Sequence, residues 1–178
     1  MRVIAGKYKG KPLRSPQSDN IRPTGDKVKQ ALFTKLQFFV VGSNVLDLFC
    51  GSGALGIEAL SRGANKVVFV DKDRRSIMLT KDNLKSVNEN QVVLNCNYDV
   101  ALAKLDQKFD LILVDPPYAS GVYNNVLSLV YQHNLLSDNG YIVCEHPNDM
   151  IIDSNFIIVD QKRYGTVTLS YLQKNEKN

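Results

Sequence analysis

Phe109-Asp110-Leu111-Ile112-Leu113-Val114 runs directly into Asp115-Pro116-Pro117-Tyr118. A short apolar run of this kind reads as a strand buried on both faces of a parallel sheet. Two consecutive prolines permit neither helix nor ladder pairing, so the strand stops at Asp115. The outcome is a stiff loop at the carboxyl end of a central strand, where open α/β sheets place their chemistry. One corner thus offers a carboxylate, the Pro116 carbonyl and an aromatic ring. The two oxygens can accept hydrogen bonds from an exocyclic NH2, and Tyr118 can stack on the base that carries it. Pro-Pro alone would mean a turn; Asp115 before it and Tyr118 after it point to a site.

Around this corner the chain alternates strand, loop and helix from Asn44 onward. Val45–Leu48, Lys66–Val70, Gln91–Asn95, the run before Asp115 and Tyr141–Glu145 read as strands. Ala54–Arg62, Arg74–Val87, a short segment near Ala101–Leu105 and Val122–His133 read as the helices between them. Such alternation predicts a parallel sheet with right-handed crossovers. Phe156–Val159 and Val167–Tyr171 are too close for a helix between them, so they predict an antiparallel hairpin across Tyr164-Gly165-Thr166. Before Asn44, Thr24 reads as a helix N-cap ahead of an apolar stripe of Val28, Ala31, Leu32, Leu36 and Phe39. Met1 to Leu13, with Gly6 and Gly10, reads as a short basic β-hairpin, and Lys174–Asn178 as a frayed tail.

Gly51-Ser52-Gly53-Ala54-Leu55-Gly56 fits GxGxxG between a strand and a helix, a pattern that nicotinamide and flavin enzymes share. Asp47 narrows it. A carboxylate in the strand ahead of the glycines is awkward beside a pyrophosphate and suits a cofactor carrying cationic groups. S-adenosylmethionine carries an ammonium and a sulfonium, and the helix amino terminus favours its carboxylate. Asp71 closes the second strand about 20 residues past the loop, the distance at which an acid takes ribose hydroxyls. Asp99 is read as ending the third strand, where it or the backbone of Tyr98 can receive the adenine amino group.

The 178 residues are 44% hydrophobic and 22% charged, as in an ordinary globular domain with a full core. No apolar run reaches membrane-span length and the amino terminus lacks a signal-peptide core, so a cytoplasmic protein is expected. Cys50, Cys96 and Cys144 lack metal-ligand spacing, and with only His133 and His146 beside them no metal centre is expected. The net charge of +4 is uneven, since residues 1–35 hold nine basic side chains against two acidic ones. A basic arm on a slightly acidic body suits a polyanionic partner, and Tyr8 between Lys7, Lys9 and Lys11 suits phosphate and base contact.

Together these segments resemble a class I S-adenosylmethionine-dependent methyltransferase whose (D/N)PP(Y/F) corner handles an amino group. Met1-Arg2-Val3-Ile4-Ala5-Gly6, Arg22-Pro23-Thr24-Gly25-Asp26-Lys27-Val28, Leu46-Asp47-Leu48-Phe49-Cys50-Gly51-Ser52-Gly53, Asp115-Pro116-Pro117-Tyr118, Glu145-His146 and Tyr164-Gly165 occur in order. Over essentially its full length the chain resembles the bacterial 16S ribosomal RNA (guanine-N2)-methyltransferase family, RsmD-like. Cys50 stands where many relatives have alanine, another small residue.

The resemblance implies a Rossmann-like core with a mostly parallel seven-stranded sheet, in one domain over 1–178. Within it, 1–23 is the basic arm and loop, 24–173 the core and 174–178 the tail. It implies a catalytic corner of Asp115, Pro116, Pro117 and Tyr118, and cofactor contacts from Thr24, Asp47, Phe49, Gly51, Gly53, Asp71, Tyr98 and Asp99. RNA contacts fall to Arg2, Lys7, Tyr8, Lys9, Lys11 and Arg22. The implied substrate is a guanine of 16S rRNA, in the 30S subunit or an assembly intermediate, and the expected state is a monomer. DNA adenine-N6 methylation, protein glutamine-N5 methylation and a non-catalytic assembly factor are the rival readings.

Overall fold

A computed structural model describes residues 1–16, 23–117 and 121–175. The run Phe109–Val114 is a strand at the middle of the molecule, five of its six residues buried. Around it the chain forms α1 (Pro23–Lys35), β1 (Asn44–Asp47), α2 (Ala54–Ser61), β2 (Lys66–Asp71), α3 (Arg74–Ser86), β3 (Val92–Asn95), α4 (Tyr98–Lys104), β4 (Phe109–Val114), α5 (Val122–Gln132), β5 (Leu136–Pro147), β6 (Phe156–Tyr164) and β7 (Val167–Lys174). The seven strands make one sheet in the order β3-β2-β1-β4-β5-β7-β6. All pairs through β5 are parallel, and β7 is antiparallel to both β5 and β6. This is the Rossmann-like class I methyltransferase architecture.

Alternation along each strand sorts the core into two layers. Leu111, Leu113, Val45 and Phe69 face Val28 and Leu32 of α1, Ile57 of α2 and Ile77 of α3. Ile112, Val114, Leu46 and Val68 face Leu102 of α4 and Val126 of α5. From β1 the chain winds outward to β2 and β3, and β4 lies on the other side of β1. The crevice beyond the carboxyl ends of β1 and β4 is therefore the switch point of the sheet, where such folds bind ligands.

Three of the differences from the sequence reading concern expected site residues. α1 begins at Pro23, so Thr24 lies in its first turn instead of capping it; proline suits a first turn, where its missing N–H has no acceptor. α4 begins at Tyr98, so Asp99 sits in a helical first turn and does not end β3, which stops at Asn95. The amino-terminal segment is not a hairpin of regular strands but a loop closed by a single antiparallel bridge, Arg2 to Pro12. Val3 N–H to Lys11, Gly10 N–H to Val3 and Leu13 N–H to Met1 complete it. We call this segment the strap.

Candidate active site

β1 delivers its chain into the glycine loop, and the loop is held on every side by groups of its own. Gly51 and Gly53 have φ of +54° and +80°, conformations that side chains resist. Gly56 meets another limit, since an added Cβ would lie 2.3 Å from the Phe69 ring; its absence lets α2 settle on β2. Thr80 donates its hydroxyl to the Gly51 carbonyl at 2.9 Å, and Asn83 donates its amide to the Ser52 carbonyl at 2.9 Å. With Thr80 committed to Gly51, the Cys50 thiol donates to Thr80 Oγ1 at 3.4 Å. The Cys50 side chain is thus a packing element, its thiol pushed up by burial.

Two carboxylates flank the loop. Asp71, at the end of β2, accepts from Gly51 N–H at 2.9 Å and from Asp73 N–H at 2.8 Å. It fixes the loop while remaining half-buried beside it. Asp47 is only 2% exposed and accepts from Gly56 N–H at 3.0 Å. Burial pushes its carboxyl up to about 7; the Gly56 N–H opposes that shift, and the Asp71 charge adds to it. Among the described residues, no cation contributes to holding it ionised. A buried acid lacking a counter-charge beside a glycine cradle fits a ligand that brings a cation.

Phe49 follows β1 and meets Tyr98 at 5.5 Å between ring centroids, tilted by 49°. Asn125 of α5 donates to the Tyr98 hydroxyl at 2.7 Å, which ties α4 to α5. Asp99 is exposed and its carboxylate accepts from Val100 N–H, as a helix-start acid does. The Asn95 amide donates to the carbonyls of Asp71 and Lys72 and so shapes the turn after β2.

One strand over, Asp115 is exposed, Pro116 buried and Pro117 exposed. Tyr118 and Arg22 lie outside the described residues, as does the Thr24 side chain. β1 and β4 are adjacent, with Asp47 in register with Leu113 and Leu48 N–H bonded to the Leu113 carbonyl at 3.2 Å. The Pro-Pro corner and the glycine loop therefore leave the sheet side by side. Behind the corner, Tyr123 of α5 donates its hydroxyl to the Glu145 carbonyl at 2.6 Å. Burial and then the Asp115 charge keep that phenol protonated. His146 Nδ1 donates to the Pro147 carbonyl, and its Nε2 shares a hydrogen bond of 2.6 Å with the Ser170 hydroxyl. These bonds lock the end of β5 against α5 and β7.

The strap is clamped to α2. Glu58, 0% exposed, accepts from Ile4 N–H at 2.9 Å, Ala5 N–H at 3.1 Å and Arg62 Nε at 2.9 Å, with Lys29 Nζ at 3.5 Å. Gly6 has φ +84°, and a Cβ there would fall 1.9 Å from the Ser61 carbonyl oxygen. Tyr8 is turned inward: its ring packs on the core and its hydroxyl donates to Glu89. Lys7 and Tyr8 sit at the carboxyl ends of α2 and α3, opposite the Asp115 edge. Arg2, Lys9 and Lys11 are exposed.

Sequence reasoning missed Thr80, Asn83 and Glu58. The first two interrupt the apolar stripe of α3 at Ile77 and Leu84 with buried polar side chains, a signal that something polar lies opposite. Among the described residues no group of His, Cys, Asp or Glu could hold a metal, and no helix is long and apolar enough to cross a membrane.

Residues 1–173 match the family model described as conserved hypothetical protein 95. The ribosomal RNA small subunit methyltransferase D of Haemophilus influenzae is 34% identical over 97% of this chain and 93% of its own. The protein of that name from Escherichia coli is 32% identical over 98% and 90%. The solved structure of yhhF from Escherichia coli superposes with a TM-score of 0.88 at 31% identity, covering 98% of both chains.

Proposed function

This chain belongs to the ribosomal RNA small subunit methyltransferase D family, and on that premise we propose that it methylates the exocyclic N2 of a guanine in 16S rRNA, in the 30S subunit or a precursor of it. The observation that carries this reading is the adjacency of Asp115 to the glycine loop across β1 and β4. A polar acceptor for an amino group and a cradle for a cationic cofactor open into one crevice. The single catalytic unit would span 1–178.

S-adenosylmethionine supplies the electrophilic methyl when bound. Asp47 would face its charged end, the Gly51–Gly53 backbone would lie against it, and Asp71 would take ribose hydroxyls. Phe49 and Tyr98 would flank the adenine. The work left to the chain is positioning. Guanine N2 has its lone pair delocalised into the ring and is a poor nucleophile. The Asp115 carboxylate and Pro116 carbonyl accept its two N–H bonds and draw the nitrogen toward tetrahedral geometry, which frees the lone pair for in-line displacement. As the C–N bond forms and the methyl's C–S bond breaks, its electron pair going to sulfur, the N–H would become acidic, and Asp115 or water would take the proton. Reaching N2 requires the base to leave its stack, and Tyr118 would hold it there by stacking worth roughly 1–3 kcal/mol.

Radiolabelled methyl transfer to 30S subunits, naked 16S rRNA, duplex DNA and protein tests the substrate, and mass spectrometry of the labelled nucleotide tests the atom. Label on adenine N6 or on protein would replace this reading, and no label on any substrate would leave a non-catalytic assembly role. Asp115→Ala is expected to lower turnover by about 10²–10⁴ with cofactor affinity nearly constant, a typical cost of one positioned polar group. Wild-type turnover in that variant would end the amino-group mechanism.

A further inference from the structure

A groove of about 770 Å³ runs between the strap, α1 and the β6–β7 edge, away from the glycine loop. Its rim carries Arg2 and Lys9 from the strap, Lys27 and Lys35 from α1, and Lys162 and Tyr164 from β6. Asp26 and Asp160 are the acids on the same rim, and Lys35 is engaged with Asp160 in an exposed ion pair. Five cations against two acids make the groove strongly electropositive.

β6 is built to face it. Ile158 pairs with Leu172 but Asp160 pairs with Tyr171, so the strand carries one extra residue at Val159. That bulge reverses the side-chain phase, as bulges near functional sites do. Without it Asp160, Lys162 and Tyr164 would follow Phe156 and Ile158 onto the α4–α5 side. With it they share the α1 side with Tyr171 and Leu169. Lys162 Nζ rests 5.6 Å from the Tyr164 ring centroid, so a cation and a half-buried aromatic face are presented together.

The register places the upper end of the groove at the catalytic edge. Val114 pairs with Cys144, Cys144 with Ser170, and Ser170 with Gln161. The next row runs from Asp115 through Glu145 and Leu169 to Lys162. Three strand spacings of about 4.8 Å put Lys162 about 14 Å from Asp115 along that row. From there the cations descend α1 to Lys35, about 12 Å over eight residues.

We propose that this groove is the track for single-stranded RNA flanking the target base, with phosphates on Arg2, Lys9, Lys27 and Lys162 and a base against Tyr164. The proposal rests on the rRNA reading above and assigns it a surface. Charge complementarity selects a polyanion, and an aromatic beside the cations suits unpaired nucleotides, whose bases are free to stack.

The test compares wild type, Lys27→Ala/Lys162→Ala and Asp160→Asn for binding a labelled oligouridine and 30S subunits across a salt series, with S-adenosylhomocysteine affinity as the control for folding. The double variant is expected to bind oligouridine about tenfold more weakly at 0.15 M salt, with a salt slope flatter by about 1.4. Asp160→Asn frees Lys35 and is expected to bind about three- to fourfold more tightly, with a slope steeper by about 0.7; a gain of this kind cannot come from misfolding. Affinities and slopes within error of wild type in both variants would overturn the groove and leave the methyltransferase reading standing. A double variant that loses 30S binding but keeps oligouridine binding would assign the groove to a ribosomal protein and equally overturn it. Wild type without salt-dependent RNA affinity would remove both readings together.

Discussion

The clamp that holds the strap and the glycine corner each bury a carboxylate, Glu58 at 0% and Asp47 at 2% exposure. They keep different company. Glu58 has two backbone N–H groups and the cations of Arg62 and Lys29, all from this chain. Asp47 has the Gly56 N–H, and among the described residues no cation helps to ionise it. A buried charge is tolerated when the surrounding chain supplies its partners, and it is otherwise driven toward its neutral form. The comparison sets structure apart from the proposed function: Glu58 is complete within the chain, whereas on the proposed reading the cofactor's cation would complete Asp47.

That distinction is sharpest in stability. Glu58→Ala strands the nearly buried Lys29 and Arg62 and leaves Ile4 and Ala5 N–H without acceptors. Removing one side of a buried ionic network costs about 3–5 kcal/mol, and urea unfolding of the variant should show a loss of that size. A loss under about 1 kcal/mol would mean that the strap is not clamped by this residue, and the contrast would fail on that side.

Asp47→Asn should behave in the opposite sense. The amide oxygen can keep the Gly56 bond while the charge disappears. At pH 8 the free protein should be as stable as wild type or more so, by up to a few kcal/mol, because an ionised buried acid no longer has to be accommodated. Affinity for S-adenosylhomocysteine should nevertheless fall by about 10- to 100-fold, the worth of a charged hydrogen bond. Calorimetry and urea unfolding of the same preparation read the two effects together. Loss of stability with unchanged affinity would make Asp47 a structural residue like Glu58.

How much of this was legible in the sequence follows from the range over which each signal acts. The strands and helices from Asn44 onward, the antiparallel hairpin and the carboxyl-end corner rest on periodicity, prolines and glycines, which act within a few residues. β5 runs further than Tyr141–Glu145 because Leu136 resumes pairing with Phe109 beyond the polar Ser137–Asn139, an irregularity that periodicity hides. Asp71 was legible as a strand-end acid, and Asp99 was misplaced because a helix starting at Tyr98 leaves little pattern in seven residues. The strap read as a free basic arm because its clamp joins residues 54 positions apart, as Ile4 and Glu58 are. Lysine counts do not reveal that Lys29 is buried on a glutamate. The bulge at Val159 is likewise visible only once β7 lies beside β6.

The smallest effect, and the one that tests the comparison without a mutation, is pH. The carboxyl of Asp47 is raised from 3.8 to about 7. The folded chain therefore holds this proton more tightly than the unfolded chain. Its contribution to stability is fully present below about 4, declines as pH rises and is gone above about 7. Binding of a cationic ligand runs the other way, since only the ionised carboxylate attracts it. Below pH 7 each unit of acidification should weaken S-adenosylhomocysteine binding by up to tenfold, with about one proton released as the ligand binds; above about 7.5 the affinity should level off. Calorimetry in buffers of different ionisation enthalpy counts that proton directly. Asp47→Asn should flatten both curves. A wild-type affinity flat between pH 5.5 and 8, with no proton release, would place the ligand's cation away from Asp47 and erase the difference between the two buried acids.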